Sequence, residues 1–176
     1  KDLLESHRIL FPNYKRPIGR VEPSYLLNGR AGEPYRDPWG CVWETAEDGI
    51  TGSVHEHPLA EWKDFESYKA PDPGRTDGTY PVDWKGLSEG VRKAKEEGRL
   101  VHLGLPHGHS FLRLQDIRGY ESAIFDMMDG SPEFLKLLGM VEEFNYDYTM
   151  RCLELGPDIM GYAEDLGMQS GPMLSP

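Results

Sequence analysis

The chain is expected to fold as an α/β domain, and three observations carry that expectation. Two short apolar runs, 100–105 and 158–163, each end at a breaker or a polar loop, as buried parallel strands do. Between them lie about fifty residues of helical periodicity, enough for a crossover. Strand, helices, strand is the βαβ pattern, which packs helices on a parallel sheet.

Residues 1–36 read as an irregular lead-in, because Pro12, Pro17, Gly19, Pro23, Gly29, Gly32 and Pro34 interrupt every apolar run. Cys41-Val42-Trp43-Glu44 and Ile50-Thr51-Gly52-Ser53-Val54 flank Glu47-Asp48-Gly49, so a β-hairpin is expected over 39–56. Its Trp39 and Trp43 are read as core packing. A short amphipathic turn over 61–68 leads to 71–81, whose Pro and Gly content reads as the least structured linker. Asp83 caps a helix with an apolar face of Trp84, Leu87, Val91 and Ala94, ended by Gly98.

The run 100–105 closes at Pro106, and a helical segment is expected over 112–129. Ser131-Pro132-Glu133 carries an N-cap, a proline at the first helical position and an acidic first turn. The helix it opens has the stripe Phe134, Leu138, Val141, Tyr148, Cys152 and Leu155, and Gly156-Pro157 ends it. Ser175-Pro176 repeats the start signature. The chain is accordingly read as a single, incomplete domain: lead-in 1–36, hairpin and linker 37–82, βα units 83–176.

Thirty acidic residues against nineteen basic ones give a net charge of -11, which argues against nucleic acid as a partner. No segment approaches the ~20 apolar residues of a membrane span, so no membrane partner is expected. Cys41 and Cys152 belong to no metal-ligand or redox spacing, and two unconnected thiols suit a reducing, cytoplasmic setting. A small-molecule substrate is the expected partner.

Chemistry in parallel sheets gathers where strands end at their carboxyl side. The loop Pro106-His107-Gly108-His109-Ser110 offers two histidines, as proton-transfer groups or metal ligands; the alternative is one ring bonded to a loop carbonyl and the other exposed. The second loop opens with Glu164 and Asp165, after Tyr162 and before Gln169. Adjacent carboxylates there serve acid–base chemistry or merely accept turn N–H groups. Glu164, Asp165, His107 and His109 are the candidate catalytic residues, with Tyr162 and Gln169 as candidate substrate contacts. No metal ligand is assigned.

Asp37-Pro38-Trp39-Gly40-Cys41-Val42-Trp43 resembles the D-x-W/F-G-x-x-W segment of the uroporphyrinogen decarboxylase and cobamide methyltransferase superfamily. Residues 158–176 are similar to its D-x-x-x-x-x-D-D-L-G-x-Q-x-G-x-x-x-S-P strand and loop, with Glu164 in place of the first paired aspartate. The resemblance implies a partial (β/α)8 TIM barrel with an N-terminal β-hairpin excursion. It further implies methyl transfer between a corrinoid, often carried by a corrinoid protein, and an acceptor, commonly with zinc. The zinc ligands of complete relatives, a His-x-Cys element and a later Cys, are not matched here. Cofactor-free decarboxylation of a porphyrinogen-like or smaller acid is the alternative. The decarboxylase segments R-Q-A-G-R-Y and F-S-D-I are not found, and Gly29-Arg30-Ala31-Gly32 only echoes the first. A non-catalytic ligand-binding or assembly module is a third possibility, since fold does not fix function.

Overall fold

The computed structural model describes residues 2–15, 23–168 and 170–173. In chain order these form α1 (Asp2–Ser6), β1 (Tyr35–Arg36), β2 (Val42–Glu44), β3 (Ser53–Glu56), a 3-10 helix (Trp62–Ser67), α2 (Trp84–Glu96), β4 (His102–Gly104), α3 (Phe111–Arg118), α4 (Tyr120–Asp129), α5 (Pro132–Glu154), β5 (Ile159–Gly161), β6 (Gly167–Met168) and β7 (Gly171–Pro172). The class is mixed α/β. β1, β2 and β3 make an antiparallel sheet, β4 and β5 pair in parallel, and β6 and β7 form a two-stranded antiparallel ladder. Among the described residues no helix is long and apolar enough to cross a membrane.

The expected parallel pair is present, with His102 opposite Ile159, Leu103 opposite Met160 and Gly104 opposite Gly161. Glycine is required at 104, where a Cβ would run into the backbone of Gly161. Asp158 anchors the start of the pair by accepting the Val101 N–H at 2.8 Å. α3, α4 and α5 lie between the two strands in sequence, so the crossover has three helices.

One expected helix is two. Gly119 adopts φ 88° and ψ 141° and separates α3 from α4, a conformation that costs an L side chain dearly. The break is held by Arg118, which bonds Asp126 at 2.7 Å and the Leu59 carbonyl at 2.9 Å and lies over the Trp62 ring. The expected caps form: Asp83 accepts the Gly86 N–H and Ser131 accepts the Phe134 N–H. In α5 the buried stripe is Phe134, Leu137, Val141, Phe144, Tyr148 and Cys152. Leu137 takes the inward place expected of Leu138, because the stripe drifts between three- and four-residue steps as an α-helix turns. These residues, with Trp39, Cys41, Leu59, Leu114 and Ile117, make the main core. Val91, Ala94 and Val101 form a smaller one under α2.

The hairpin differs from expectation in its second strand, which begins at Ser53 instead of Ile50, with a bulge between Val42 and Trp43. Residues 49–52 are drawn off by the lead-in, since the Gly49 and Gly52 N–H groups bond the Gly29 and Asn28 carbonyls at 2.8 Å. The lead-in is thus not wholly irregular: it supplies a 3-10 turn, Leu27–Gly29, and the edge strand β1. Nor is 71–81 an unstructured linker. Asp77 accepts the N–H groups of Thr79 and Tyr80 at 2.7 and 2.6 Å, and the buried Thr76 donates to the Tyr80 carbonyl at 2.6 Å. Side-chain oxygens close the loop where no helix or sheet ladder is available.

Candidate functional site

The loops after β4 and β5 meet at one end, where the Gly108 N–H bonds the Ala163 carbonyl at 2.9 Å. Between that end and the antiparallel sheet lies a cleft of about 600 Å3. Trp43 and Val54 line it from the hairpin, Thr79 and Tyr80 from the 76–81 loop, and His107, Leu112, Arg113 and Asp116 from the β4 loop and α3.

Its floor is a buried ion pair. The Arg113 guanidinium meets Asp37 at 2.9 Å, with side chains 5% and 0% exposed, and also donates to Thr79 Oγ1 at 2.9 Å. Asp37 accepts in addition the Cys41 N–H at 3.0 Å and the Trp43 indole N–H at 2.9 Å. Such a pair is tolerable inside when further hydrogen bonds support it, and here Asp37 accepts two more N–H groups and Arg113 donates to Thr79. The motif residues around Asp37 are therefore bound to α3 through Arg113.

Asp116 stands one helical turn from Arg113 and 3.7 Å from its guanidinium, with its side chain 22% exposed. Burial pushes its carboxyl up to about 7; Arg113 opposes the rise, while Asp37 and Glu164 add to it. The physical reason is that a carboxylate this buried loses its hydration, and Arg113, shared with Asp37, returns only part of it. The Asp116 backbone is fixed separately, its carbonyl accepting Cys41 Sγ–H at 3.3 Å and meeting His57 Nδ1 at 2.8 Å.

The six residues expected from sequence do not form one cluster. Glu164 is turned to the start of α3, where it accepts the Ser110 and Phe111 N–H groups at 2.8 Å and that of Leu112 at 3.2 Å. An ionised carboxylate suits that helix terminus, which Ser110 leaves uncapped by its own side chain. Asp165 points outward at 65% exposure and approaches His107 Nε2 at 3.7 Å. His107 reaches the cleft rim. His109 lies beside Glu164 instead: its Nδ1 is 3.9 Å from the Glu164 carboxylate and meets the Ala163 carbonyl at 3.3 Å, and its ring stands edge-on to Tyr162. Both line a second hollow of about 400 Å3 with Ser110, Glu142, Asn145 and Tyr146. Gln169 lies outside the described residues. Trp39 packs in the core as expected, whereas Trp43 is only half-buried and presents one side to the cleft.

Arg113 and Asp116 had no place in the sequence reading. The usable signal was spacing: Arg113 precedes the fully buried Ile117 by four residues, so it faces inward, and an inward arginine requires a carboxylate.

The donor set is a poor match to zinc. Cys41 and Cys152 are 0% and 1% exposed, and burial pushes both thiols up, away from the thiolate a metal needs. Among the described residues no three His, Cys, Asp or Glu side chains are grouped to hold a metal ion. These residues do not fit as a zinc site. No family model, curated protein or solved structure matches this chain.

Proposed function

We propose that residues 83–176 contribute βα units to a (β/α)8 barrel enzyme of the uroporphyrinogen decarboxylase and cobamide methyltransferase kind. The reaction is methyl transfer between a corrinoid and an acceptor, with this chain forming the substrate side of the pocket. The observation that carries the reading is the parallel β4–β5 pair, whose two polar loops interlock at the carboxyl end beside a cleft. The proposed setting is the cytoplasm, with a small-molecule substrate and a corrinoid protein as partners.

When bound in such enzymes, zinc supplies Lewis acidity to an acceptor thiol. The described residues do not offer its ligands, and no step is derived through it. What they offer is binding and proton handling: Trp43 and Tyr80 give apolar area, Thr79 and Arg113 fix one wall, and His107 stands at the rim with Asp165 3.7 Å from its ring on the outer side.

Asp116 favours a second reading, decarboxylation of a porphyrinogen-like or smaller acid, because replacing a carboxylate by hydrogen needs a protonated group in the pocket. Two assays on the complete protein separate the readings. One follows loss of the methyl group from methylcobalamin in the presence of a small thiol, and the other follows carbon dioxide release from uroporphyrinogen. Methyl loss alone supports the leading proposal. Carbon dioxide release alone replaces it with the second, and silence in both leaves a ligand-binding or assembly module.

A further inference from the structure

Five ionisable side chains border or underlie the cleft, and four are committed elsewhere, Tyr80 among them because its hydroxyl donates to Asn28 Oδ1 at 2.6 Å. Asp37 is fully buried and accepts three hydrogen bonds, from Arg113, Trp43 and the Cys41 N–H. Arg113 is spent on Asp37 and Thr79. His107 is 60% exposed and faces Asp165 at the rim. Asp116 differs from all four. Among the described residues its carboxyl makes no hydrogen bond; its one ion-pair partner is Arg113 at 3.7 Å, and the exposed 22% of its side chain borders the cleft. The charged groups around it are Arg113 on its own helix, Asp37 from the turn before β2 and Glu164 from the β5 loop, while His57 and Cys41 meet only its backbone carbonyl.

We propose that Asp116 is the proton donor of the cleft: its uncommitted carboxyl hands a proton to the basic atom of a small reactant held between the hairpin and α3. The fixed Arg113–Asp37 pair then receives a carboxylate 3.7 Å from the guanidinium, which limits the cost of the ionised form. The proton returns from solvent through the open mouth. Burial sets the resting state: with the smaller push of Asp37 and Glu164 it outweighs the arginine's attraction and holds the group protonated to about 7. As a step of the proposed reaction this role rests on that reaction; as chemistry of the cleft it stands alone.

A small α-diazo ester tests the donor without any natural substrate. It reacts with a protonated carboxyl only: the acid proton moves to the diazo carbon, dinitrogen leaves, and the carboxylate oxygen bonds to that carbon. The 176-residue protein is treated near neutral pH and its peptides are mapped by mass spectrometry. At that pH an ordinary aspartate is protonated about a thousandth of the time and Asp116 about half, so the Asp116 ester should exceed that at exposed Asp165 by about 100-fold or more. Labelling should fall as pH rises through about 7 and vanish in Asp116→Asn. Equal labelling of Asp116 and Asp165, or an unlabelled Asp116, overturns the proposal. Selective labelling in a protein that neither transfers methyl groups nor releases carbon dioxide removes the proposed reaction and keeps the donor.

Discussion

Replacing Asp116 by Asn should make the folded protein more stable at high pH and leave it nearly unchanged in acid. The side chain keeps its shape, and the backbone carbonyl that meets Cys41 and His57 is untouched. The carboxyl rises from an ordinary 3.8 to about 7 on folding, so the folded state holds its proton where the unfolded state releases it. Below about pH 4 both states are protonated and no penalty exists; the penalty grows as pH rises toward 7 and is complete above it. At about 1.4 kcal/mol per pH unit the full difference is about 4 kcal/mol, an upper bound because the group is partly open to the cleft. Urea midpoints of both proteins from about pH 4 to 8 measure it, and other carboxylates cancel in the difference. Asn should gain about 2–4 kcal/mol on wild type across that range. A constant difference, or a gain that appears only on acidification, would refute the account of Asp116.

The carboxylates of the β5 loop should divide. Glu164→Ala removes the acceptor of three N–H groups at the start of α3, those of Ser110, Phe111 and Leu112, and should cost about 1–2 kcal/mol by urea unfolding, whereas Asp165→Asn should cost less than about 0.5 kcal/mol. Turnover of the complete protein should respond the other way, Asp165→Asn losing about 100-fold; near-normal turnover with lost stability reduces Asp165 to a turn residue. Arg113→Leu leaves Asp37 buried and unpaired and should cost about 3–5 kcal/mol, with much of it regained on adding Asp37→Asn; a harmless single substitution would mean the pair is not a structural tie. Metal analysis of the dialysed 176-residue protein should find less than stoichiometric zinc, and tight retention lost on mutating His107 or His109 would place a site these residues do not suggest.

Local signals with short range were the legible ones. The caps at Asp83 and Ser131 and the turn at Gly98 depend on neighbours a few residues away, and they form as read. The β4–β5 pair was visible because buried parallel strands are continuous apolar runs between breakers. What escaped depends on distant partners. Residues 71–81 look like a linker until Thr76, Asp77 and Tyr80 bond one another and Tyr80 donates to Asn28 at 2.6 Å. The strand expected at 50–54 lost its first residues to bonds with the lead-in. At the site, the D-x-W-G segment was noticed without a role, since its partner Arg113 lies 76 residues on. Glu164 read as chemistry because position alone cannot tell a pocket-facing carboxylate from one turned to a helix start.

The central claim, that reaction occurs in the cleft between the hairpin and α3, is tested most directly by blocking it. Leu112 lines the cleft at the start of α3 and is only partly buried, so Leu112→Trp fills space there without emptying the core. The rate of methyl loss from methylcobalamin to a small thiol, measured beside the thermal midpoint of the same complete protein, should fall by about 100-fold or more while the midpoint moves by only a few degrees. A wild-type rate with the cleft filled would contradict the assignment and move the chemistry elsewhere.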